Sequence, residues 1–261
     1  MHGRGIWMLP VLSALALAGG CDTLSQRAQG QLNSGFQKYQ DQDNAGAVAE
    51  MDAFLRENPH SSSADKALYL RGLARYNLHQ YEGAKADLLQ AISITKNPEL
   101  RGKAALSQGD LSFETGDVTL AQNMYTLATT SLPPQSDLMA QAYYRLGCVL
   151  QRQGQWRAAD QQFHKAIYYF PDSEPAHRSA RAINANAWTV QAGSYTRMSA
   201  AQAGAKRFIS KELPATAAAI RVNNDTKFVI QIGRYDRFED AQAMLPKVQN
   251  IQKDAFVAPT R

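Results

Sequence analysis

The sequence predicts a two-domain chain, an α-helical solenoid followed by an α/β domain with the element order βαββαβ. Three observations predict this architecture: a glycine that recurs every 37 or 38 residues, a motif repeated 40 positions further on, and strand-type patterning that begins only after the glycine repeats end. The expected boundaries are an N-terminal segment over 1–20, a tether over 21–29, four helical repeats over 30–172, a linker over 173–187 and the α/β domain over 188–258.

The composition is that of a globular protein. The 261 residues are 44% hydrophobic and 20% charged, and the net charge is +5. A charge of this size does not by itself indicate a nucleic-acid partner.

The N-terminal segment has the pattern of a secretory signal. Arg4 precedes an apolar run over 6–18, which is shorter than the roughly 20 residues that a spanning helix needs, and small residues at 18–20 lead to Cys21. This ending resembles the lipobox of bacterial lipoproteins. The resemblance implies an acyl (palmitate-type) anchor on Cys21, at the periplasmic face of either the inner or the outer membrane. A plain signal peptide with a free cysteine is the alternative.

The second cysteine predicts no covalent framework. If Cys21 carries lipid, Cys148 has no intramolecular partner. It stands in an apolar helical run over 143–150, so we interpret it as a small buried side chain.

Four kinds of residue follow the 37–38-residue period. Each glycine is followed twelve residues later by an alanine and four residues after that by a larger apolar residue, and a proline closes each unit. A small residue lets a second helix cross close by, and a proline stops that helix, so each unit is a helical hairpin that must stack on its neighbours. The members are Gly35, Gly72, Gly109 and Gly147; Ala47, Ala84, Ala121 and Ala159; Met51, Leu88, Tyr125 and Phe163; and Pro59, Pro98, Pro133 and Pro171.

These units resemble the tetratricopeptide (TPR) repeat, and residues 143–171 form the clearest copy. The resemblance implies a concave groove, lined by the first helix of each repeat, that docks a protein or peptide partner. The alternative for the aromatic members of this face is that they pack between repeats. The expected groove residues are Lys66, Tyr69, Tyr76, Lys103, Asp110, Phe113 and Tyr144.

The segment after residue 187 contains an internal duplication. Residues 190–197, VQAGSYTR, recur as IQIGRYDR at 230–237, and the match continues through an Ala-Gln-Ala triplet at 201 and 241. Each half reads as strand, turn, helix and strand, with apolar and polar residues alternating along the first strand. The two halves predict a four-stranded antiparallel sheet that has both helices on one face and leaves the other face open to a ligand.

The paired motif resembles the sporulation-related repeat (SPOR) domain over about 188–258. That family binds glycan strands of peptidoglycan, prefers strands stripped of stem peptides and concentrates at division sites. The resemblance implies that Gln191, Ser194 and Phe256 contact glycan, while strand parity adds Gln231 and Lys227 is a further candidate. Amides and hydroxyls suit a sugar because they donate and accept hydrogen bonds. The alternative for Gln191 is a solvated residue of an open sheet.

Charge is unevenly distributed between the two parts. Residues 188–261 hold 11 Lys/Arg and 6 Asp/Glu, a net of +5, whereas residues 21–187 hold 16 and 17, a net of −1. The positive charge of the second domain suits an anionic wall, although a solvated surface would have the same composition.

The sequence gives little support for an enzyme, a metal-binding protein or a nucleic-acid-binding protein. Ser63 and Lys66 have the Ser-x-x-Lys spacing of acyltransferases but lack companion motifs, and they fit the start of a repeat helix. The histidines at 60, 79, 164 and 177 form no metal motif. The expected strands lack the aromatic pairs on which RNA bases stack. We therefore expect no catalytic residue, no metal, no cofactor and no nucleic acid.

Two functional hypotheses remain. The first is a non-enzymatic envelope lipoprotein that binds peptidoglycan at division sites and docks protein partners in its groove. The second is a repeat scaffold for secretion, pilus or outer-membrane machinery, in which the SPOR-like domain serves as a wall anchor.

Overall fold

The computed structural model describes residues 24–222 and 225–260, and the predicted lipidation site Cys21 lies outside them. The described chain forms helical hairpins followed by a sheet domain. The hairpins are α1 (Gln26–Gln40) with α2 (Asn44–Glu57), α3 (Ala64–Asn77) with α4 (Tyr81–Ile94), α5 (Pro98–Glu114) with α6 (Val118–Ser131), and α7 (Asp137–Arg152) with α8 (Trp156–Tyr169).

The periodic glycines are the points at which the two helices of a hairpin touch. A Cβ atom added to Gly147 would lie 2.4 Å from the ring of Phe163, and one added to Gly109 would lie 2.5 Å from the ring of Tyr125. Gly72 meets Leu88 in the same way, and Gly35 meets Met51. The residue sixteen positions after each glycine therefore fills the space that a side chain would take. This explains the period.

The ends of the helices follow ordinary capping rules. Ser25 accepts a hydrogen bond from the backbone N–H of Ala28, so α1 begins only five residues after Cys21 and four residues before the predicted start of the repeats. Pro98 was expected to close the second repeat, but it opens α5 as a first-turn residue, where a missing N–H costs nothing.

The first helices of the hairpins form a row. α1 contacts α3, α3 contacts α5, and α5 contacts α7, whereas the second helices of the described repeats make only marginal contact with one another. The more tightly packed row lies on the inside of the curve, so α1, α3, α5 and α7 line the concave face. The row continues into α9 (Glu174–Ala182), which packs on α7 and α8. This helix lies within the segment 173–187, for which the sequence predicts a linker.

The second domain has the predicted βαββαβ order and one four-stranded antiparallel sheet, which confirms the expected fold class. Its strands are β1 (Ala187–Tyr195), β2 (Ala215–Val222), β3 (Asp225–Tyr235) and β4 (Phe256–Thr260), in the spatial order β2-β3-β1-β4. Helices α10 (Met198–Ile209) and α11 (Phe238–Gln249) cover one face, where Phe208 and Val248 pack on Val190, Ile230 and Ile232.

The duplicated Gly-x-Tyr sequence forms the same local structure twice. Gly193 and Gly233 have φ of +66° and +70°, values that glycine adopts at little cost. A Cβ on Gly193 would come within 3.0 Å of the Tyr195 ring, and one on Gly233 would come within 2.3 Å of the Tyr235 hydroxyl oxygen. The pairing register of β1 with β3 shifts beside Gly193. The glycine thus allows the strand to bend and the tyrosine to fold back over it.

The last repeat and the sheet domain meet at an aromatic contact centred on Trp188 of β1, which we call the Trp188 contact. The Trp188 ring lies 5.6 Å from that of Trp156 in α8 and 5.1 Å from that of Phe238 in α11, centroid to centroid. Its indole N–H donates to the carbonyl of Gln151 at 3.2 Å, and the Arg152 guanidinium lies 4.6 Å from the Phe238 ring. The two domains are therefore joined by packing as well as by chain continuity.

Candidate functional site

The five residues expected to bind glycan lie on the face of the sheet opposite α10 and α11. Gln191 lies directly opposite Gln231 on β3 and opposite Phe256 on β4. Ser194 pairs with Val229, which shares its parity with Gln231 and Lys227. Because residues opposite each other point to the same side of a sheet, all five project from the face without helices.

These side chains differ in their exposure to solvent and in the contacts that fix them. Phe256 is 52% exposed, and Ser194 is also exposed. Gln191, Gln231 and Lys227 are half-buried. The Gln231 amide donates to the Thr260 hydroxyl at 2.9 Å, which fixes the orientation of its side chain.

The floor between the polar residues is apolar. Val229 is fully buried although it belongs to the open face. Thr189 is also buried, and its hydroxyl is satisfied there by donating to the carbonyl of Gly233 at 2.8 Å. Because both residues are covered, the groups that this face offers to a ligand are amides, a hydroxyl, an ammonium group and the exposed ring of Phe256. Such a surface can contact the apolar face of a sugar ring while bonding its hydroxyls and N-acetyl groups.

Three residues that belong to the open face were missed from the sequence. Thr216 pairs with Gln231, Ile220 pairs with Lys227, and Thr260 anchors Gln231. Thr216 and Ile220 belong to β2, whose alanine-rich sequence shows no alternation from which its register could be read.

The predicted groove residues are not a uniform binding surface. Lys66 is exposed, and Lys103 pairs with Glu99 one turn away at 2.6 Å. Tyr69 packs against two inter-repeat clusters, and burial raises the pKa of its hydroxyl. Phe113 packs on the core of the last two repeats. For Tyr69 and Phe113, packing between repeats is therefore what the structure shows.

Asp110 and Tyr144 also join neighbouring helices. Asp110 accepts a hydrogen bond from the Tyr125 hydroxyl at 2.7 Å and forms an ion pair with Arg145 at 3.1 Å, although burial raises the pKa of its carboxyl group. Tyr144 lies 5.9 Å from the guanidinium of Arg178 in α9, and burial raises the pKa of Tyr144 to about 12. Cys148 lies beside Tyr144, and burial raises the pKa of its thiol. A raised pKa keeps this cysteine protonated and therefore unreactive.

Two further kinds of feature, a metal-binding cluster and a membrane-spanning helix, are absent from the described residues. No group of three or more His, Cys, Asp or Glu side chains in 24–222 and 225–260 is arranged to hold a metal ion. None of the helices in that part of the chain combines the length and apolar character needed to cross a bilayer.

Three protein families match parts of the chain. Residues 184–259 match the family described as SPOR domain, and residues 141–173 match the tetratricopeptide repeat. Residues 23–98 match a family described as outer membrane lipoprotein. The chain therefore combines tetratricopeptide repeats with a C-terminal SPOR domain, as the motifs predicted. Both are families of binding and scaffold domains; a SPOR domain implies peptidoglycan binding and TPR repeats imply protein interaction.

Solved structures resemble the chain at the level of the fold. A crystal structure of MamA protein covers 61% of this chain and 80% of its own length, with 19% identity and a TM-score of 0.52. A tetratricopeptide repeat protein from Parabacteroides merdae covers 60% and 59%, with 19% identity and a TM-score of 0.52. The apo form of RapI covers 59% and 45%, with 15% identity and a TM-score of 0.53. A comparison with curated protein sequences found no match.

Proposed function

We propose that the chain is a non-enzymatic lipoprotein of the cell envelope that binds glycan strands of peptidoglycan on the open face of its SPOR domain and docks protein partners in its TPR groove. The observation that carries this proposal is the shared side of Gln191, Ser194, Lys227, Gln231 and Phe256, opposite the helices. We place its action at division sites, because SPOR-like domains concentrate there.

The chemistry of the face favours a neutral polymer. Its central pair, Gln191 and Gln231, and the exposed Ser194 are uncharged groups that both donate and accept hydrogen bonds. The flanking ring of Phe256 can pack on the C–H face of a sugar. Lys227 and the net charge of +5 over 188–261 add attraction towards an anionic wall.

The first prediction tests the open face in the full lipid-free chain. The double change Gln191→Glu with Ser194→Ala removes an amide donor and a hydroxyl. Each lost bond to a neutral partner costs about 0.5–1.5 kcal/mol, so binding should weaken from several-fold to about a hundredfold. The measurement is co-sedimentation with peptidoglycan sacculi, before and after an amidase has removed the stem peptides.

The matched control changes the same residue types on the helix-covered side. Gln202→Glu with Ser199→Ala alters two exposed positions of α10 and should leave sedimentation unchanged. A folded wild-type chain that ignores amidase-treated sacculi would overturn glycan binding. Equal binding by both double variants would overturn only the placement of the site.

Lipidation of Cys21 is supported by the match of 23–98 to a family of outer membrane lipoproteins. The second prediction is that Cys21→Ser will give an unprocessed or detached protein, since serine has no thiol to acylate. Membrane fractionation with metabolic labelling by a palmitate analogue measures this. A variant that is still labelled and still partitions with membranes would contradict the lipid anchor.

A short tether brings the repeats close to the bilayer. Since α1 begins at Gln26, residues 21–25 can extend over at most about 18 Å. The solenoid therefore starts near the lipid headgroups if Cys21 carries the anchor, whether that membrane is the inner or the outer one.

The second hypothesis gives the main function to the repeats. The match of residues 23–98 to a family described as outer membrane lipoprotein supports a scaffold at the outer membrane, with the SPOR domain as a wall anchor. Variants of the open face separate the two hypotheses. An assembly scaffold should keep its phenotype when the open face is altered and only its localisation is lost, whereas a wall-binding adaptor should lose both.

A further inference from the structure

The last turns of the first three concave helices carry a row of aromatic residues. Tyr39, Tyr76 and Phe113 are each separated by 37 residues, so they occupy equivalent positions at the ends of α1, α3 and α5. Tyr81, at the start of α4, adds a ring 6.1 Å from that of Tyr76. These rings lie along the edge of the groove where each first helix turns into the second.

A carboxylate stands beside these rings without a lysine or arginine partner; the imidazole of His79 is the basic group that acts on it. Glu114 accepts hydrogen bonds from the hydroxyls of Tyr76 at 2.5 Å and of Tyr81 at 2.7 Å, and it is exposed. These two bonds lower the pKa of Glu114, so it is ionised at neutral pH. Within the described chain, no lysine or arginine nitrogen lies within 4.0 Å of it, whereas Asp110 and Asp117 are paired with Arg145 and Lys85.

Glu114 and the rings of Tyr39 and Tyr76 border an open cleft of about 650 Å³. Besides Tyr39, Tyr76 and Glu114, its lining includes the amide side chains of Asn44 and Asn77, which bond to each other at 3.1 Å, and His79. The His79 ring lies 2.8 Å from the Tyr81 hydroxyl through Nδ1. This size is within the range of small-ligand sites, and the cleft opens towards solvent.

The third ring of this row, that of Phe113, already contacts a cation. The guanidinium of Arg152 lies 5.3 Å from the centre of the Phe113 ring, and Glu239 is 3.9 Å from the Arg152 nitrogen. At Phe113, therefore, a cation already lies between an aromatic ring and a carboxylate. Tyr76, Tyr81 and Glu114 likewise combine aromatic rings with a carboxylate, but no lysine or arginine of the described chain lies between them.

We propose that this cleft receives a lysine or arginine side chain of the protein partner that lies in the groove. The inference rests on the proposed docking function of the repeats and specifies the chemistry of that partner. Glu114 supplies the counter-charge, and the tyrosine rings supply cation–π contact and cover the aliphatic stem. The same carboxylate would repel an anionic segment, so the partner segment is basic at this position.

The test uses a matched pair of peptides with the lipid-free mature chain. Ac-Ala-Lys-Ala-NH₂ and its neutral norleucine counterpart are titrated into isotope-labelled protein, and amide shifts are followed by NMR. The lysine peptide should shift amides around Tyr76, His79 and Glu114, and the norleucine peptide should not. Glu114→Gln should weaken lysine binding at least about tenfold, because a charge-assisted bond is lost.

The control variant is Asp137→Asn, which neutralises an exposed carboxylate at the opposite end of a concave helix. It should bind the lysine peptide like the wild type. Equal shifts from both peptides, no shift from either, or unchanged lysine binding by Glu114→Gln would each overturn the proposal.

A further arm separates the cleft from the groove. The wild type, Glu114→Gln and a variant carrying Lys66→Glu with Lys103→Glu are compared for capture of a partner from envelope extract. Capture by the first two but not by the third would overturn the role of the cleft and leave docking in the groove intact.

Discussion

Replacing Asp87 with alanine should lower the free energy of unfolding of the repeat domain by about 3–5 kcal/mol, because it removes the buried counter-charge of two partly buried arginines and leaves them only the more exposed Asp52. Asp87 is only 2% exposed. Its carboxylate accepts from Arg71 through two nitrogens, at 2.6 and 2.9 Å, and from Arg75 at 2.8 Å. Burial alone would lower the pKa of Arg71, but hydrogen bonding and attraction from Asp87 raise it.

The same network contains a natural control. Asp52 on α2 accepts from Arg71 at 2.6 Å, but its side chain is 37% exposed. Asp52→Ala should therefore cost about 1 kcal/mol or less, since water can replace the lost partner. Urea unfolding followed by far-ultraviolet circular dichroism measures both. Equal losses for the two variants would contradict the view that burial of the carboxylate sets the effect.

Trp188→Ala should cost the SPOR domain about 3–5 kcal/mol, in the range of large-to-small changes of buried aromatic residues. It removes the ring between Trp156 and Phe238, which are 5.6 and 5.1 Å away. Because these rings belong to different domains, the change should also uncouple the domains. We expect calorimetry to show one transition for the wild type and two for the variant, with the repeat domain keeping its original midpoint.

Trp188→Phe is the appropriate control for this experiment. It keeps an aromatic ring in the contact but loses the indole N–H that donates to Gln151. The Gln151 carbonyl also accepts from the backbone of Gly154, so the expected loss is only about 1 kcal/mol. A single unshifted transition for Trp188→Ala, or an equal loss for both variants, would show that the contact does not couple the domains.

The parts of the fold with a short-range signal were predictable from the sequence. The spacing from Gly147 to Phe163 follows from one helix crossing another, and it is visible without any structure. The open face of the sheet followed from alternation, since Gln191 and Gln231 occupy the same place in the two halves of the duplication.

The features that were missed depend on contacts between distant segments. The segment over 173–187 reads as polar because α9 is short and buries only its alanine and serine side, around Ala176 and Ser179. Nothing local indicates that Trp188 would pack against the preceding domain. The environment of Glu114 depends on Tyr76 and Tyr81, more than thirty residues earlier, which donate hydrogen bonds to it and which no local pattern connects with it.

The Trp188 contact has a mechanical consequence for a chain held at both ends. If Cys21 is fixed in a bilayer and the open face grips a glycan strand, any pull between membrane and wall passes through the junction of the two domains. Only residues 183–186 connect α9 to β1. If the contact opens under load, this segment can lengthen by no more than about 14 Å before the tension reaches the strands and helices themselves. The junction would then act as a joint with little slack, so that a change in the spacing between membrane and wall is transmitted to the groove and its occupant.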